Sequence, residues 1–312
     1  MKIKIAFVDF WPGFIPENSY FFDLLGGTNK VELSESPEII FFSNFGSEHK
    51  KYDCYRIFFS AENERANMYK CDIALTFDFN KNKRHFRLPL YVLYAHQYGI
   101  DLRQFNPIVS DEIINQWKNR KFCCFVVSNG KSKLRTEFFY FLSEKERIDS
   151  GGRFLNNIGG PVEDKLEFIK QYKFVIAFEN SKYNGYTTEK ILEPLITNSI
   201  PIYWGNKIIH EDFNGKCFID VKGSEEFELA FSRMKAIEND NNLIREFLGS
   251  ERVVQSNRFL ENKNVLDFII QNFENSHKVI AKKVFYRIVA NVIDYFSSLN
   301  YWAIHYTKGH FR

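Results

Sequence analysis

Phe174-Val-Ile-Ala-Phe178-Glu-Asn-Ser-Lys-Tyr-Asn-Gly185-Tyr-Thr-Thr-Glu-Lys190, followed ten residues later by Ile200-Pro-Ile-Tyr-Trp-Gly205, decides how this chain folds. The first apolar run has no polar alternation, which marks a strand covered on both faces and therefore a parallel sheet. Gly185 turns the chain, Thr187 or Thr188 can cap a helix over 188–197, and the run from Ile200 to Trp204 reads as the next strand. Free N–H groups and the positive dipole end at such a helix start make an anion site, and Lys190 adds a full charge there. A diphosphate fits these donors. Glu189 beside it would repel phosphate, so its better use is to accept hydrogen bonds from a ribose diol. Tyr186 and Asn180 offer a ring face and an amide to a nucleoside. The same residues also suit a capped turn with a surface Glu–Lys pair.

On the N-terminal side of this segment the same rhythm holds. Residues 122–127 form a fully apolar strand, 134–142 and 163–171 read as helices, and on the far side 217–221 reads as a strand and 225–237 as a helix. Strands alternating with helices predict a parallel sheet with ligands beyond its carboxyl ends. The loop Ser128-Asn-Gly-Lys-Ser-Lys-Leu-Arg135 is a second basic turn from strand to helix. Arg135 can hold phosphate oxygens in bidentate fashion, and two such turns on one sheet converge on one crevice. A solvated loop remains the plainer reading of Lys131 and Lys133. The first half carries shorter apolar runs at Ile3–Val8, 39–43, 55–60 and 72–77, which predict a second α/β unit ending in the polar stretch 106–119.

The chain has 312 residues, 45% apolar and 26% charged, a globular balance that supports two domains. Thirty-four Phe and sixteen Tyr suit a large core, a carbohydrate-binding surface or a membrane interface alike. The net charge of +3 gives no case for nucleic-acid binding, so an anion must be held locally. Five cysteines without a C-x-x-C pair read as reduced thiols, not metal ligands. No signal-length apolar run opens the chain and none is long enough to span a bilayer, so cytoplasmic residence is the expectation. Residues 277–312 differ in kind. On a helix, Lys283, Arg287 and Asn291 share one side and Ile280, Val284, Ile288 and Val292 another, with Tyr301, Trp302 and Phe311 beyond. That basic, aromatic pattern fits an interfacial helix on the inner face of an anionic membrane and equally a closing helix packed on the fold.

Taken together, the run 172–190, the Ile200-Pro-Ile-Tyr-Trp-Gly205 strand, Phe125-Val-Val-Ser-Asn129 with Leu134-Arg135, the stretch 150–157 and Phe86-Arg-Leu-Pro-Leu-Tyr91 resemble the α-1,3-fucosyltransferases that use GDP-fucose, glycosyltransferase family 10, and especially the bacterial members. The resemblance covers roughly residues 55–225. It implies an α/β fold of the GT-B type, two Rossmann-like lobes with a facing cleft and a C-terminal amphipathic helix. The expected lobes are 1–118 for the acceptor and 119–275 for GDP-fucose, with the tail from 276. It further implies inverting transfer of L-fucose to the GlcNAc O3 of a galactosyl-GlcNAc glycan, with α-1,4 or dual linkage, another nucleotide sugar, or a non-enzymatic adaptor as alternatives. Carried over residue by residue, Arg135 and Lys190 serve the diphosphate, Glu189 the ribose, and Asn180 and Tyr186 further donor contacts. No metal is obligatory. The catalytic base corresponds to Glu62 in Phe58-Phe-Ser-Ala-Glu62-Asn; Ala61 stands where the family often has Gly, and Glu64 competes two positions on.

Overall fold

The computed structural model describes residues 2–276, and the amphipathic tail 277–312 lies outside them. The chain divides into two compact units. Among the described residues, the first holds 2–76, 80–88 and 261–276; the second holds 77–79 and 89–260.

In the first unit, β1 (Ile3–Val8), α1 (Tyr20–Leu24), β2 (Val31–Leu33), β3 (Ile39–Phe42), β4 (Tyr55–Phe59), β5 (Ile73–Thr76) and β6 (His85–Arg87) follow one another. The six strands form one parallel sheet in the order β2-β1-β3-β4-β5-β6. Strands β3 and β5 are buried at every position, as the apolar runs Ile39–Phe42 and Ile73–Leu75 require. On one face Phe21 of α1 packs on Phe41 and Phe59 at ring-centroid distances of 5.0 and 5.1 Å. On the other, Ile40, Phe42, Phe58 and Ala74 share a core with Cys54 and Cys71.

The second unit comprises α2 (Leu90–Gln97), α3 (Asp111–Lys118), β7 (Lys121–Phe125), α4 (Lys133–Ser143), β8 (Ile148–Ser150), α5 (Lys165–Ile169), β9 (Tyr172–Phe178), α6 (Glu189–Ile196), β10 (Ile200–Trp204), β11 (Ile219–Asp220), α7 (Phe227–Asn239) and α8 (Asn241–Gly249). Its parallel sheet runs β11-β10-β9-β7-β8. Alternate residues of β9 serve two cores: Phe174, Ile176 and Phe178 pack with Trp117, Phe138, Met234 and Phe247, while Val175 packs with Phe168 and Ile169. This is the two-faced burial that its unbroken apolar sequence predicts.

Two features depart from the expected boundaries. The polar stretch 106–119 is mostly helix α3, because Ser110 caps it by accepting from Ile113 N at 3.3 Å and Ile114 and Trp117 fall on one buried side. It belongs to the second unit, as does α2. After α8 the chain returns: α9 (Asn262–Glu274) belongs to the first unit. Its Phe268 and Phe273 rings lie 5.2 Å from Phe86 and 4.7 Å from Tyr55, and Asn262 Oδ1 accepts from Tyr20 Oη at 3.1 Å. All five cysteines are free and buried. No helix among the described residues is long and apolar enough to cross a membrane.

Candidate functional site

In a sheet of this kind the strand order reverses once, and loops diverge there to leave a crevice. In the second unit the reversal falls between β7 and β9, beyond whose carboxyl ends lie Asn129 and Glu179. The local chain supports the arrangement. Gly185 has φ +84°, and a Cβ there would lie 2.5 Å from the Phe77 carbonyl oxygen, so no other residue makes this turn without strain. Its N–H donates to Asn206 Oδ1 at 2.7 Å, which ties the turn to the chain leaving β10. Thr188 caps α6, its Oγ1 accepting from Lys190 N at 3.5 Å.

Glu179 is the hub. It follows β9 directly, is fully buried, and accepts from Thr188 N at 2.8 Å and Thr188 Oγ1 at 2.7 Å. Lys190 Nζ sits 3.4 Å from Glu179 Oε2 and 3.1 Å from Glu189 Oε1. Burial pushes the Glu179 carboxyl above its usual range, with Lys190 opposing. Burial also pushes Glu189 up, but Lys190 and Lys165 more than reverse this and hold it at about 2. Burial lowers Lys190, and the Glu189 and Glu179 carboxylates outweigh it and raise the ammonium above its ordinary value. At neutral pH the helix start thus carries a fixed cation beside an ionised acceptor.

Arg135, from the first turn of α4, is 1% exposed. Its Nη1 donates to the Phe178 carbonyl at 3.1 Å and to Asn180 Oδ1 at 2.9 Å, and its Nη2 donates to the Asn129 carbonyl. Its buried Nε has no hydrogen-bond partner. An orphaned donor on a buried guanidinium costs about 1–3 kcal/mol unless something accepts from it, and an anionic oxygen is the acceptor its charge selects. Burial disfavours its charge, and Glu179 is the largest influence sustaining it.

The structure therefore gathers Arg135, Asn180, Glu189 and Lys190 around Glu179 in the second unit. Tyr186 lies here too, but only 3% exposed, with its ring edge-on to Phe77 at 5.2 Å. Glu62 belongs to the first unit, exposed on the loop after β4, where its N–H donates to Ser60 Oγ at 3.2 Å and its carbonyl accepts from the same hydroxyl at 2.8 Å. Glu64 is exposed two residues on. Sequence reasoning passed over Glu179 and Asn206. Glu179 carried a signal: a carboxylate continuing the apolar run from Phe174 to Phe178 must be buried, and a buried carboxylate must be partnered. Asn206 carried none. Thr187 holds Asn206 from the other side, accepting from its Nδ2 at 3.0 Å and donating to Asp212 Oδ2 at 3.3 Å. Among the described residues, no three His, Cys, Asp or Glu side chains gather in a way that could hold a metal ion.

Two doubly wound units, the second with Arg135 and Lys190 gathered about a buried Glu179 at its switch point, define the fold of a glycosyltransferase of the GT-B type. The family model described as "Alpha-(1,3)-fucosyltransferase FucT N-terminal domain" matches residues 5–94, and that described as "Glycosyltransferase family 10 (fucosyltransferase) C-term" matches residues 116–292. The chain belongs to glycosyltransferase family 10, the fucosyltransferases. It is 30% identical over 285 residues to the alpha-(1,3)-fucosyltransferase FucT of Helicobacter pylori, covering 79% of this chain and 59% of that one. The chain thus spans somewhat under two thirds of that relative's length. Crystal structures of an alpha1,3-fucosyltransferase superpose with a TM-score of 0.73 at 26% identity. The form with GDP covers 90% of this chain and 92% of the other, and the form with GDP-fucose covers 88% and 91%.

Proposed function

We propose that the protein transfers L-fucose from GDP-fucose, with inversion, to the O3 of GlcNAc in a galactosyl-GlcNAc glycan. The observation that carries the donor half is that Arg135, from the first turn of α4, and Lys190, from the first turn of α6, both act on the buried Glu179, with an orphaned Arg135 Nε and an ionised Glu189 beside Lys190. The solved relatives with GDP and GDP-fucose support the same choice. In this reading Arg135 and Lys190 take the diphosphate oxygens, and Glu189 accepts from the ribose hydroxyls. Glu62 takes the proton from the acceptor hydroxyl as its oxygen attacks the fucose anomeric carbon. The bond to GDP breaks, and the charge that develops on the leaving diphosphate falls on the two cations. Arg135 is suited to this because its position is fixed by three carbonyl-type acceptors before any ligand arrives, so it need not reorganise as the charge grows.

The test is direct. Purified protein, GDP-fucose and N-acetyllactosamine should give a fucosylated trisaccharide whose linkage analysis shows O3. A product linked at O4, or turnover of a different nucleotide sugar in its place, overturns the corresponding half of the proposal. GDP should raise the thermal midpoint, since a ligand that binds only the folded state stabilises it. For residues 277–312 we propose peripheral attachment to the inner membrane face, which rests on their charge pattern. Deletion of those residues should abolish co-sedimentation with anionic vesicles and leave the thermal midpoint in place.

A further inference from the structure

Behind the donor turn of the second unit lies a buried polar chain that makes none of the contacts proposed for GDP-fucose. Thr187 and Thr188 stand side by side at the entry to α6, where the backbone is extended, with φ −113° and ψ −167° at Thr188. Neighbouring side chains on an extended backbone point to opposite sides. Thr188 accordingly reaches Glu179, donating from Oγ1 at 2.7 Å, while Thr187 reaches Asp212, donating from Oγ1 to Oδ2 at 3.3 Å. Glu179, Thr187 and Asp212 are fully buried, and Asn206 is nearly so.

The chain has one polarity from end to end. Asn206 presents Oδ1 to two backbone donors, Gly185 N at 2.7 Å and Ile208 N at 3.0 Å, which turns its Nδ2 toward Thr187. Thr187 Oγ1 accepts from that Nδ2 at 3.0 Å and gives its single proton to Asp212. Reversing any one bond would set two donors or two acceptors face to face. The anchors are backbone. The Asp212 N–H donates to the Ile209 carbonyl and the Asp212 carbonyl accepts from Val254 N, each at 2.9 Å, beside a bridge between Phe213 and Val253. Asn206 N donates to the buried Tyr203 Oη at 3.1 Å, and a Cβ on Gly205 would lie 2.5 Å from Glu179 Cγ, so the end of β10 comes up against the hub only as glycine. The 185–188 turn is thereby clamped between two carboxylates, Glu179 at the end of β9 and Asp212 on the segment that pairs with the chain after α8. A buried network of this kind fixes one geometry, because any member left unmet is costly.

We propose that Thr187, Asn206 and Asp212 are positioning residues of the donor site. Their relay sets where the 185–188 turn stands, and so where the start of α6 presents Glu189 and Lys190 to the nucleotide. The inference rests on the donor contacts proposed above.

The test uses the full chain, Thr187→Val, Thr187→Ser, Asn206→Ala, the Thr187→Val/Asn206→Ala double variant, and Lys190→Met as reference. GDP is titrated by calorimetry, and transfer to N-acetyllactosamine is measured with each substrate varied in turn. Thr187→Val, which loses the hydroxyl and keeps the branched shape, should raise the GDP Kd and the KM for GDP-fucose about tenfold. The KM for N-acetyllactosamine should hold. Thr187→Ser, which keeps the hydroxyl, should recover most of the loss. Asn206→Ala should match Thr187→Val, and the double variant should be little worse than either, because one relay is cut only once. Amide exchange over the 185–188 turn, followed by mass spectrometry, should quicken in Thr187→Val and not in Thr187→Ser. A variant that only loses folded protein lowers turnover and leaves both KM values in place. If Thr187→Val does not fold, Asn206→Ala gives the same reading. An unchanged GDP Kd in the folded variants, a loss that serine does not recover, or losses that add in the double variant overturns the relay. An unchanged GDP Kd in Lys190→Met, with GDP binding weakened in Thr187→Val, overturns the donor contacts and leaves the relay standing.

Discussion

The two units solve one topological problem with different materials. Each winds a parallel sheet in both directions, and each places a buried carboxylate held by backbone donors beyond the strands where the order reverses. In the second unit the pieces come from adjoining sequence: β9, the Gly185 turn and α6 supply Glu179, Asn180, Glu189 and Lys190 within twelve residues, and only Arg135 is remote. In the first unit Asp9, His49 and Glu62 follow β1, β3 and β4, roughly forty and thirteen residues apart along the chain. A site for a charged, shared ligand part can be compact, because a helix start and two cations suffice for a diphosphate. Side chains delivered by three separate strand ends come together only once the sheet has formed.

That contrast can be broken or sharpened by measurement. The largest effect is expected from Glu62→Gln, which removes the proposed base while keeping its shape: turnover should fall about 10²- to 10⁴-fold with the GDP-induced midpoint shift intact. Equal losses of turnover and GDP binding would show that Glu62 does not act on the proton. Next comes Phe273→Ala, which strips a buried ring from α9 against Tyr55 and should cost about 3–5 kcal/mol by chemical denaturation. Unfolding of the first unit should shift more than that of the second, where tryptophan emission from the buried Trp117 reports. Gly185→Ala should cost about 1–3 kcal/mol and weaken GDP binding, because both the φ and the Phe77 oxygen oppose a methyl group.

The smallest effect is on the acid limb of stability. Glu189 is held at about 2, below its ordinary 4.5, so its contribution is complete above about 4.5 and is lost as pH falls toward 2. Glu189→Gln should flatten the urea midpoint across that window. Glu179 is raised, so its contribution has the opposite sign: present at low pH and lost as pH rises through its elevated value. Glu179→Gln should leave the acid-side loss steeper. Matching profiles for the two variants would mean that the carboxylates are not divided by burial as described.

Legibility followed the same contrast. Strands β1, β3, β4, β5, β7, β9 and β10 were readable from their apolar runs, α4 and α7 from their apolar spacing, and α6 from its spacing together with the Thr188 cap. Strand β6 escaped because His-Phe-Arg is too short and polar, and α3 because its amphipathic pattern sits in a stretch dominated by Asp, Glu, Asn and Lys. The candidate donor residues could be picked out because they share a motif. Nothing near Asp9 in sequence announces His49; only the pairing of β1 with β3 brings them within 2.6 Å.

The return of α9 sets an order of events at the ribosome. The first unit's sheet is complete by residue 88, yet the rings of Tyr55 and Phe86 wait for partners that are translated after the whole second unit. The domain begun first is finished last. Until then it carries an uncovered apolar face, so a chaperone that holds nascent chains should stay bound until residue 274 has cleared the exit tunnel.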